Sequence, residues 1–316
     1  MGVVGVGYLG QFHAEKYAKM EGVELVGVVD VNPTRAREIA RRSHTQSFFH
    51  YSELFKKTQA VSIAVPTPLH HPIAKDFLLH GQDVLLEKPI CTTLEEADEL
   101  IGLAESKRLI LQVGHLERFN GALTALRGMV RDPLLIESRR LSPFTGRETD
   151  VNVVLDLMIH DIDIALTLVQ SKPRRVQAVG LPVITSLIDV ANARIEFDNG
   201  CTADLTASRV SEEKTRRTRI FQADGILSID YLLQKASLSR KAASPEKGGT
   251  PRMMIKRIPV KKVDLLEREI RAFVKGVRDR DNVQVSGREG RRALEMALRI
   301  IQRMERKKER TGRPNR

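Results

Sequence analysis

Four groupings in the chain have residue types and spacings that can carry chemistry. Asp156 and His160 are four apart and Asp163 is three further on, so a helix would put all three on one face. A carboxylate beside an imidazole fixes its tautomer and stabilises its protonated form, which makes His160 a candidate general base near neutral pH. The flanking Val153, Val154, Leu155, Leu157, Met158, Ile159 and Ile162 are apolar. The pair is therefore expected in a largely buried helix, where polar groups need partners or a purpose. The plain alternative is a surface or capping pair. Asp161 points off that face and reads as structural.

The second grouping, Glu87-Lys88-Pro89, follows the apolar run Val84-Leu85-Leu86. A lysine at such a strand end can stabilise a developing alkoxide or relay its proton, and Pro89 fixes the direction in which the chain leaves. A surface ion pair is the bland alternative. The third is Gly5-Val6-Gly7-Tyr8-Leu9-Gly10, set between a strand pattern and a helix pattern. There Gly5 permits a tight turn, Gly7 lets the backbone approach a pyrophosphate, and Gly10 allows close helix–sheet packing. The free N–H groups at the helix start favour phosphate. The fourth is Asp30, twenty residues after Gly10 at the end of the next strand pattern. A carboxylate there can hold both ribose hydroxyls and repel a 2′-phosphate. These features predict NAD as the cofactor, with NADP kept as the alternative by Arg35 five residues later.

The elements that must position these groups follow from periodicity. Short apolar runs over 2–6, 24–29, 60–65, 83–86 and 109–113 alternate with helical patterns such as 72–80 and 93–106. That rhythm predicts a doubly wound parallel sheet, in which ligands bind beyond the carboxyl ends of the strands. Thr67 and His70, in the run Val65-Pro66-Thr67-Pro68-Leu69-His70, lie at one such end and Glu87-Lys88 at another. After Glu117 the rhythm changes. A helix near 120–130, a strand over 134–141 and a long helix over 151–169 come first. Alternating segments over 175–180, 188–197, 202–209, 219–224 and 226–231 then read as an antiparallel sheet, with Asp198-Asn199-Gly200 as a hairpin signal. A flexible loop is expected over 244–250, and helices over 264–278 and 287–307. The expected fold class is α/β. A doubly wound NAD-binding Rossmann domain spans 1–117, and an α+β domain with a large open, mainly antiparallel sheet, C-terminal helices and a basic tail spans 118–316.

Composition bounds the partners. With 316 residues, 41% of them hydrophobic, two cores are affordable. The two cysteines, Cys91 and Cys201, have no metal-type spacing, so neither a disulfide scaffold nor a metal site is expected and a reducing cytoplasm fits. No apolar run reaches the roughly 18–20 residues that span a bilayer, and the start lacks a signal-peptide pattern. Only Met1 to Val4 precede the glycine turn, which raises the expectation that a few residues are missing from the start. The net charge is +12, and residues 303–316 hold seven Lys or Arg against two Glu. That stretch reads as a helix end running into a solvated tail, with no nucleic-acid partner expected. The remaining positive balance suits a cofactor and a substrate that both carry pyrophosphate. The open sheet face predicts self-association as a dimer or tetramer. His13, His44, His50, His71 and His80 read as ordinary surface or core residues.

In this order, the Gly5 to Gly10 turn, Thr67 and His70, Glu87-Lys88-Pro89 and Asp156-x-x-x-His160-x-x-Asp163 resemble the glucose-fructose oxidoreductase/inositol dehydrogenase family of sugar dehydrogenases over nearly the whole chain. The resemblance implies a Rossmann domain followed by an α/β domain with a large open sheet. It also implies oxidation of a sugar secondary hydroxyl by NAD, with Lys88, Asp156 and His160 as the catalytic centre. Within the family, the runs Gly114 to Asn120, Leu155 to Asp163 and Ser208-Arg209-Val210-Ser211 are similar to members that oxidise the 3-hydroxyl of UDP-N-acetylglucosamine. Their 3-keto product goes to an aminotransferase, for example on the way to amide-linked lipid A. A nucleotide-sugar substrate follows as an expectation, with Arg118, Asn120, Asp163 and Arg209 as binding candidates and Lys214 as a weaker one. Arg118 can clamp a pyrophosphate bidentately, or equally form an interdomain ion pair. Gly121 departs from the pattern, which has proline there. A free sugar, an inositol or a UDP-sugar acid is the alternative substrate, and a non-catalytic NAD-binding regulator the distant alternative.

Overall fold

The computed structural model describes residues 1–146, 151–242, 252–281 and 283–311; the loop expected over 244–250 and the end of the basic tail lie outside them. The chain divides into two units, Met1–Leu116 with Asp264–Leu294, and Glu117–Val263 with the residues from Glu295 onward.

In the first unit β1 (Gly2–Val4), β2 (Gly27–Val29), β3 (Gln46–Phe48), β4 (Ala60–Ile63), β5 (Asp83–Glu87) and β6 (Leu111–Gly114) form one parallel sheet in the order β3-β2-β1-β4-β5-β6. Helices α1 (Gly10–Ala18), α2 (Pro33–Arg42), α3 (His70–Leu79) and α4 (Leu94–Ser106) connect them. A parallel sheet is covered on both faces, which is why its strands are almost unbroken apolar runs. Val3, Val4, Val28, Val61, Ile63, Val84, Leu85 and Leu86 are all buried. Burying each such side chain contributes about 1.5–3 kcal/mol. Helix starts are set by side chains. Asn32 accepts from the backbone of Thr34 and Arg35 with Pro33 in the first turn, and Thr93 and Glu96 make a reciprocal capping box. The strand order reverses between β1 and β4, where open α/β sheets bind ligands. Strand β3 was not expected; it is three residues long, lies at the sheet edge and carries only one buried side chain.

The second unit opens with α5 (Gly121–Ala125), much shorter than the helix expected near 120–130, and β7 (Leu135–Leu141). A π-helical turn, Val154–Met158, then runs into α6 (Ile159–Val169). Seven strands follow: β8 (Pro173–Leu181), β9 (Val190–Phe197), β10 (Thr202–Ser208), β11 (Thr215–Gln222), β12 (Gly225–Asp230), β13 (Lys235–Lys241) and β14 (Met253–Ile258). With β7 they form a sheet in the order β14-β13-β12-β11-β7-β10-β9-β8, in which the β7–β10 pair is parallel and the others antiparallel. The Asp198-Asn199-Gly200 turn joins β9 to β10, as its residues predict, with Gly200 at φ +86°. Alternation decides the faces. Ile136, Ala193, Ile195, Ala203, Leu205, Ile220 and Leu227 form a core with Ile162, Ala165, Leu166 and Val169 of α6. Arg139, Arg194, Arg217 and Arg219 are exposed. Strands β13 and β14 escaped the sequence reading. Only Ala236 and Leu238 of β13 are buried, and β14 is an edge strand with five of six residues exposed.

Two helices close the chain, α7 (Leu265–Asp279) and α8 (Gly287–Thr311). Residues 264–294, expected in the second domain, pack instead with the first unit. The apolar stripe Ile270, Phe273 and Val274 joins a core that holds Val3, Val6, Tyr17, Val28 and Leu85. Asp264 caps α7 by accepting from the Glu267 N–H and also pairs with Lys16 of α1. Gly121, at the start of α5, leaves room for the Lys261 carbonyl, which would lie 2.4 Å from any Cβ there.

Candidate active site

Each arm of the glycine turn has a separate steric reason. Gly5 has φ +81° and a Cβ on it would lie 2.6 Å from the Ala64 carbonyl oxygen, while one on Gly10 would lie 1.8 Å from the Gly5 carbonyl oxygen. Both glycines are demanded by the protein's own packing. Around Gly7 a Cβ would meet nothing within 4 Å, so that glycine leaves open the cradle a pyrophosphate needs. The turn thus fits a dinucleotide. Tyr8 and Leu9 at its tip are exposed, and Tyr8 packs edge-on against Phe12.

Asp30, just beyond β2, is buried and holds the turn from below. Its Oδ2 accepts from the Val6 N–H at 3.0 Å and from Arg35 Nε at 2.9 Å; its Oδ1 accepts from the Asn32 N–H at 2.9 Å and from an Arg35 terminal nitrogen at 2.8 Å. Burial alone would raise its pKa, but the Arg35 guanidinium and the two backbone amides hold the carboxyl below its usual range. The two residues read as rival cofactor determinants therefore form one ion pair. Arg35 keeps nearly half of its side chain exposed.

At the ends of β4 and β5 the structure brings the next candidates together. The buried His70 ring lies between two carbonyls, Nδ1 at 2.8 Å from Pro89 O and Nε2 at 2.9 Å from Val65 O, and as a neutral imidazole it donates to one of them. Burial pushes its pKa down despite those acceptors. Thr67 begins the single turn that leads into α3. Glu87 meets His13 Nε2 of α1 at 3.1 Å and accepts from the Lys88 N–H at 3.3 Å; the Lys88–Pro89 peptide is cis. His13, read as ordinary in the sequence, is thus the partner of the Glu-Lys-Pro carboxylate. Its signal was position: with Gly10, Ala14 and Tyr17 it completes the buried face of α1.

A second carboxyl shares this interior. Glu269 of α7 is fully buried, and neither of its oxygens has a hydrogen-bond partner among the described residues. Burial, with the charge of Glu87 added, holds its pKa well above the ordinary 4.5, while Glu87 is held low by His13 and Lys88 against its own burial. A carboxyl with a raised pKa in the folded state binds its proton more tightly there than in the unfolded chain. Stability is then fullest below the ordinary value and falls as pH rises toward the raised one. Glu269→Gln, which mimics the protonated form, should match the wild type in urea midpoint near pH 4 and exceed it increasingly up to pH 8. Parallel midpoint curves across that range would show that Glu269 ionises normally.

In the second unit the expected single helix over 151–169 is broken in phase. Asn152 caps its start, with Oδ1 accepting from the N–H groups of Val154 and Leu155 at 3.0 and 3.2 Å. Asp156 sits inside the π turn and is 8% exposed, and His160, partly buried, is in the first turn of α6. Wide turns of this kind insert one residue and collect at functional sites. The catalytic pair of the sequence reading thus lies on one continuous segment, anchored by Asn152 in front and by the apolar core along its length.

The four substrate-binding candidates have partners of their own. Arg118 and Asp163 form a buried bidentate pair at 2.7 and 2.8 Å. Asn120 caps α5 through the Ala122 N–H and donates to Glu117 and to the Tyr231 carbonyl, at 3.1 Å each. Arg209 lies elsewhere: it donates to Asp189 at 2.8 Å, Val151 O at 2.7 Å and Thr185 at 3.1 Å, and Asp189 in turn gathers the N–H groups of Val183, Ile184 and Thr185. Sequence reasoning also passed over Arg140, which is fully buried between Asp161 and Glu117. Asp161, read as structural, is one of its two carboxylates. Among the described residues no group of three His, Cys, Asp or Glu is placed to hold a metal ion. Nor does any described helix have the length and apolarity to cross a membrane.

The strand order, the glycine turn and the anchored acid define the class, a Rossmann-type NAD(P)-binding protein. The oxidoreductase family with an NAD-binding Rossmann fold matches residues 1–115, and the GFO/IDH/MocA C-terminal domain matches residues 117–228. The chain belongs to this GFO/IDH/MocA family of oxidoreductases. It is 38% identical over 300 residues to a UDP-N-acetylglucosamine 3-dehydrogenase of Acidithiobacillus ferrooxidans, a match that covers 95% of each chain. A solved structure of that enzyme superposes with a TM-score of 0.90 at 37% identity, covering 96% of this chain and 97% of that one. An inositol 2-dehydrogenase of Rubrobacter xylanophilus is 31% identical over 57% of this chain and 55% of its own. At 22% identity, a scyllo-inositol dehydrogenase of Lactobacillus casei shares the fold, with a TM-score of 0.80 over 97% of this chain and 96% of that one.

Proposed function

We propose that the chain oxidises the 3-hydroxyl of UDP-N-acetylglucosamine to the 3-keto nucleotide sugar, with NAD as the acceptor. The observation that carries the substrate is the near full-length likeness to the UDP-N-acetylglucosamine 3-dehydrogenase. The chemistry is supported by the chain's own residues. His160 takes the hydroxyl proton, and the carboxylate of Asp156, one turn earlier, favours the imidazolium that forms. Lys88 is assigned the developing alkoxide, which its ammonium stabilises through charge. A bound nicotinamide dinucleotide supplies hydride acceptance. Gly5, Gly7, Tyr8, Leu9 and Gly10 receive its pyrophosphate, with Thr67, His70 and Glu87 shaping the strand ends beside it. Asp30 supports NAD over NADP, since a 2′-phosphate would be set against a buried, ionised carboxylate. We assign Arg118, Asn120, Asp163 and Arg209 to holding the second unit in shape, because their polar groups are engaged within it.

The 3-keto product is a ketone fit for transamination, so an aminotransferase is the partner reaction. We further infer a homo-oligomer, dimer or tetramer, from the uncovered sheet face. A reducing cytoplasm is inferred as its setting, where the buried thiols of Cys91 and Cys201 stay free. The purified protein should reduce NAD faster with UDP-N-acetylglucosamine than with UDP-glucose, UDP-N-acetylglucosaminuronate or myo-inositol, and faster than it reduces NADP. The readout is NADH absorbance, with a glutamate-dependent aminotransferase coupled to draw off the ketone. Reduction with inositol alone would overturn the nucleotide-sugar reading.

A further inference from the structure

Arg216 of β11 stands apart from the other guanidinium groups described in the second unit's interior. Along β11, Arg216 alternates in phase with Thr218, Ile220 and Gln222, all buried, so it belongs to the strand's inward face. In register its neighbour across β7 is Arg140, a second cation at the same level of the sheet. Arg140 is fully matched, with Asp161 at 2.9 and 3.1 Å and Glu117 at 3.0 Å. Arg216 has one acid contact among the described residues, the same Oε1 of Glu117, at 3.5 Å. The other oxygen of Glu117 accepts from Asn120. One carboxylate is therefore shared by two cations, and the second holds it at the limit of a hydrogen bond. A guanidinium has five N–H donors, and 36% of the Arg216 side chain is open to solvent. Burial and the charge of Arg140 push its pKa down, so the cation is under-compensated where it stands, although Glu117, Asp161 and Asp156 attract it. The last of these is the carboxylate assigned to the catalytic pair. By contrast Arg118 is committed to Asp163, and Arg209 to Asp189.

We propose that Arg216 binds the diphosphate of the nucleotide-sugar substrate, as the half-open, half-matched guanidinium on the inward face of β11. This rests on the nucleotide-sugar reading and names the residue that recognises its anionic part. A planar fork suits two phosphate oxygens at once, and a dianionic ligand would supply the counter-charge that Glu117 divides between two arginines.

The test uses the NAD-loaded full chain and two readouts, UDP binding by calorimetry and turnover of UDP-N-acetylglucosamine. Arg216→Gln should weaken UDP binding about tenfold or more, the range of a lost charge-assisted hydrogen bond. It should raise KM for the nucleotide sugar by a similar factor while kcat stays within about threefold. Arg216→Lys, which keeps the charge and loses the fork, should fall between. Wild-type turnover with an unchanged KM and unchanged UDP binding in both variants would overturn the assignment and leave the proposed reaction standing. UDP binding that depends on Arg216 in a protein that turns over no nucleotide sugar would uphold the anion site and overturn the reaction. A wild-type protein that binds no UDP would overturn both. If Arg216→Gln does not fold, the lysine variant decides alone: wild-type affinity for UDP would overturn the site, and a severalfold loss would uphold it.

Discussion

Replacing His160 with alanine is expected to lower kcat by about 10³-fold, within the span by which a positioned general base accelerates proton transfer. The substitution removes the one imidazole on the segment that also carries Asp156. It should leave the fold intact, because His160 is only partly buried while Val154, Met158, Ile162 and Ala165 supply the packing of the segment. NAD affinity should stay within about twofold, since the glycine turn and Asp30 belong to the other unit. The measurements are NADH formation at saturating substrate and a fluorescence titration of cofactor. Asp156→Asn keeps the shape and removes the charge, so it should cost less, about 10–100-fold. It should also move the acid limb of the kcat/KM profile to lower pH, because a carboxylate that stabilises the imidazolium is gone. Activity within threefold of wild type in His160→Ala would remove the base from the proposed mechanism.

The glycine turn gives the second large effect, as a contrast between two positions. Gly10→Ala should destabilise the first unit by about 4 kcal/mol or more, at the severe end of single substitutions. Its Cβ would lie 1.8 Å from the Gly5 carbonyl oxygen, so backbone must move. Gly7→Ala should melt at the wild-type temperature, since its Cβ meets nothing within 4 Å, yet bind NAD about 10- to 100-fold more weakly. The methyl group occupies the space through which the backbone approaches the pyrophosphate. Thermal melts and NAD titrations on both variants separate the two cases. Normal NAD binding in Gly7→Ala would place the pyrophosphate elsewhere.

Much of this was legible in the residues, and the exceptions share a physical cause. Buried parallel strands announce themselves because both faces are apolar, and the glycine turn because only glycine fits it. Hydrophobic periodicity does not say against which surface a helix lies. The helix expected over 264–278 forms as α7, Leu265–Asp279, but nothing in that pattern tells that Ile270 and Phe273 meet Val3 and Tyr17. The same holds for charges. Arg118, Asn120, Asp163 and Arg209 were picked out by type, yet their partners are set by tertiary packing, and each has its polar groups engaged at hydrogen-bond distance. His13 and Arg140 were passed over for the converse reason, since nothing along the chain tells which distant acid a buried polar residue meets. The π turn is a one-residue shift of phase, below what periodicity over so short an apolar run can resolve.

That α7 belongs to the first unit has a bearing on the order of events during synthesis. A nascent chain that has reached residue 117 carries every strand of the parallel sheet but not the helix that supplies Ile270, Phe273 and Val274 to its core. Until about residue 294 has emerged, Val3, Val6 and Tyr17 lack that cover. The usual sequence, in which an N-terminal domain completes itself while the rest is being made, is therefore not the order expected for this protein. The second unit's sheet, all of it encoded between 135 and 258, is made before the first unit's core can close. A fragment ending at residue 117 should accordingly be a poor stand-in for the cofactor domain, and a permuted chain that joins 264–294 directly to 1–116 a good one.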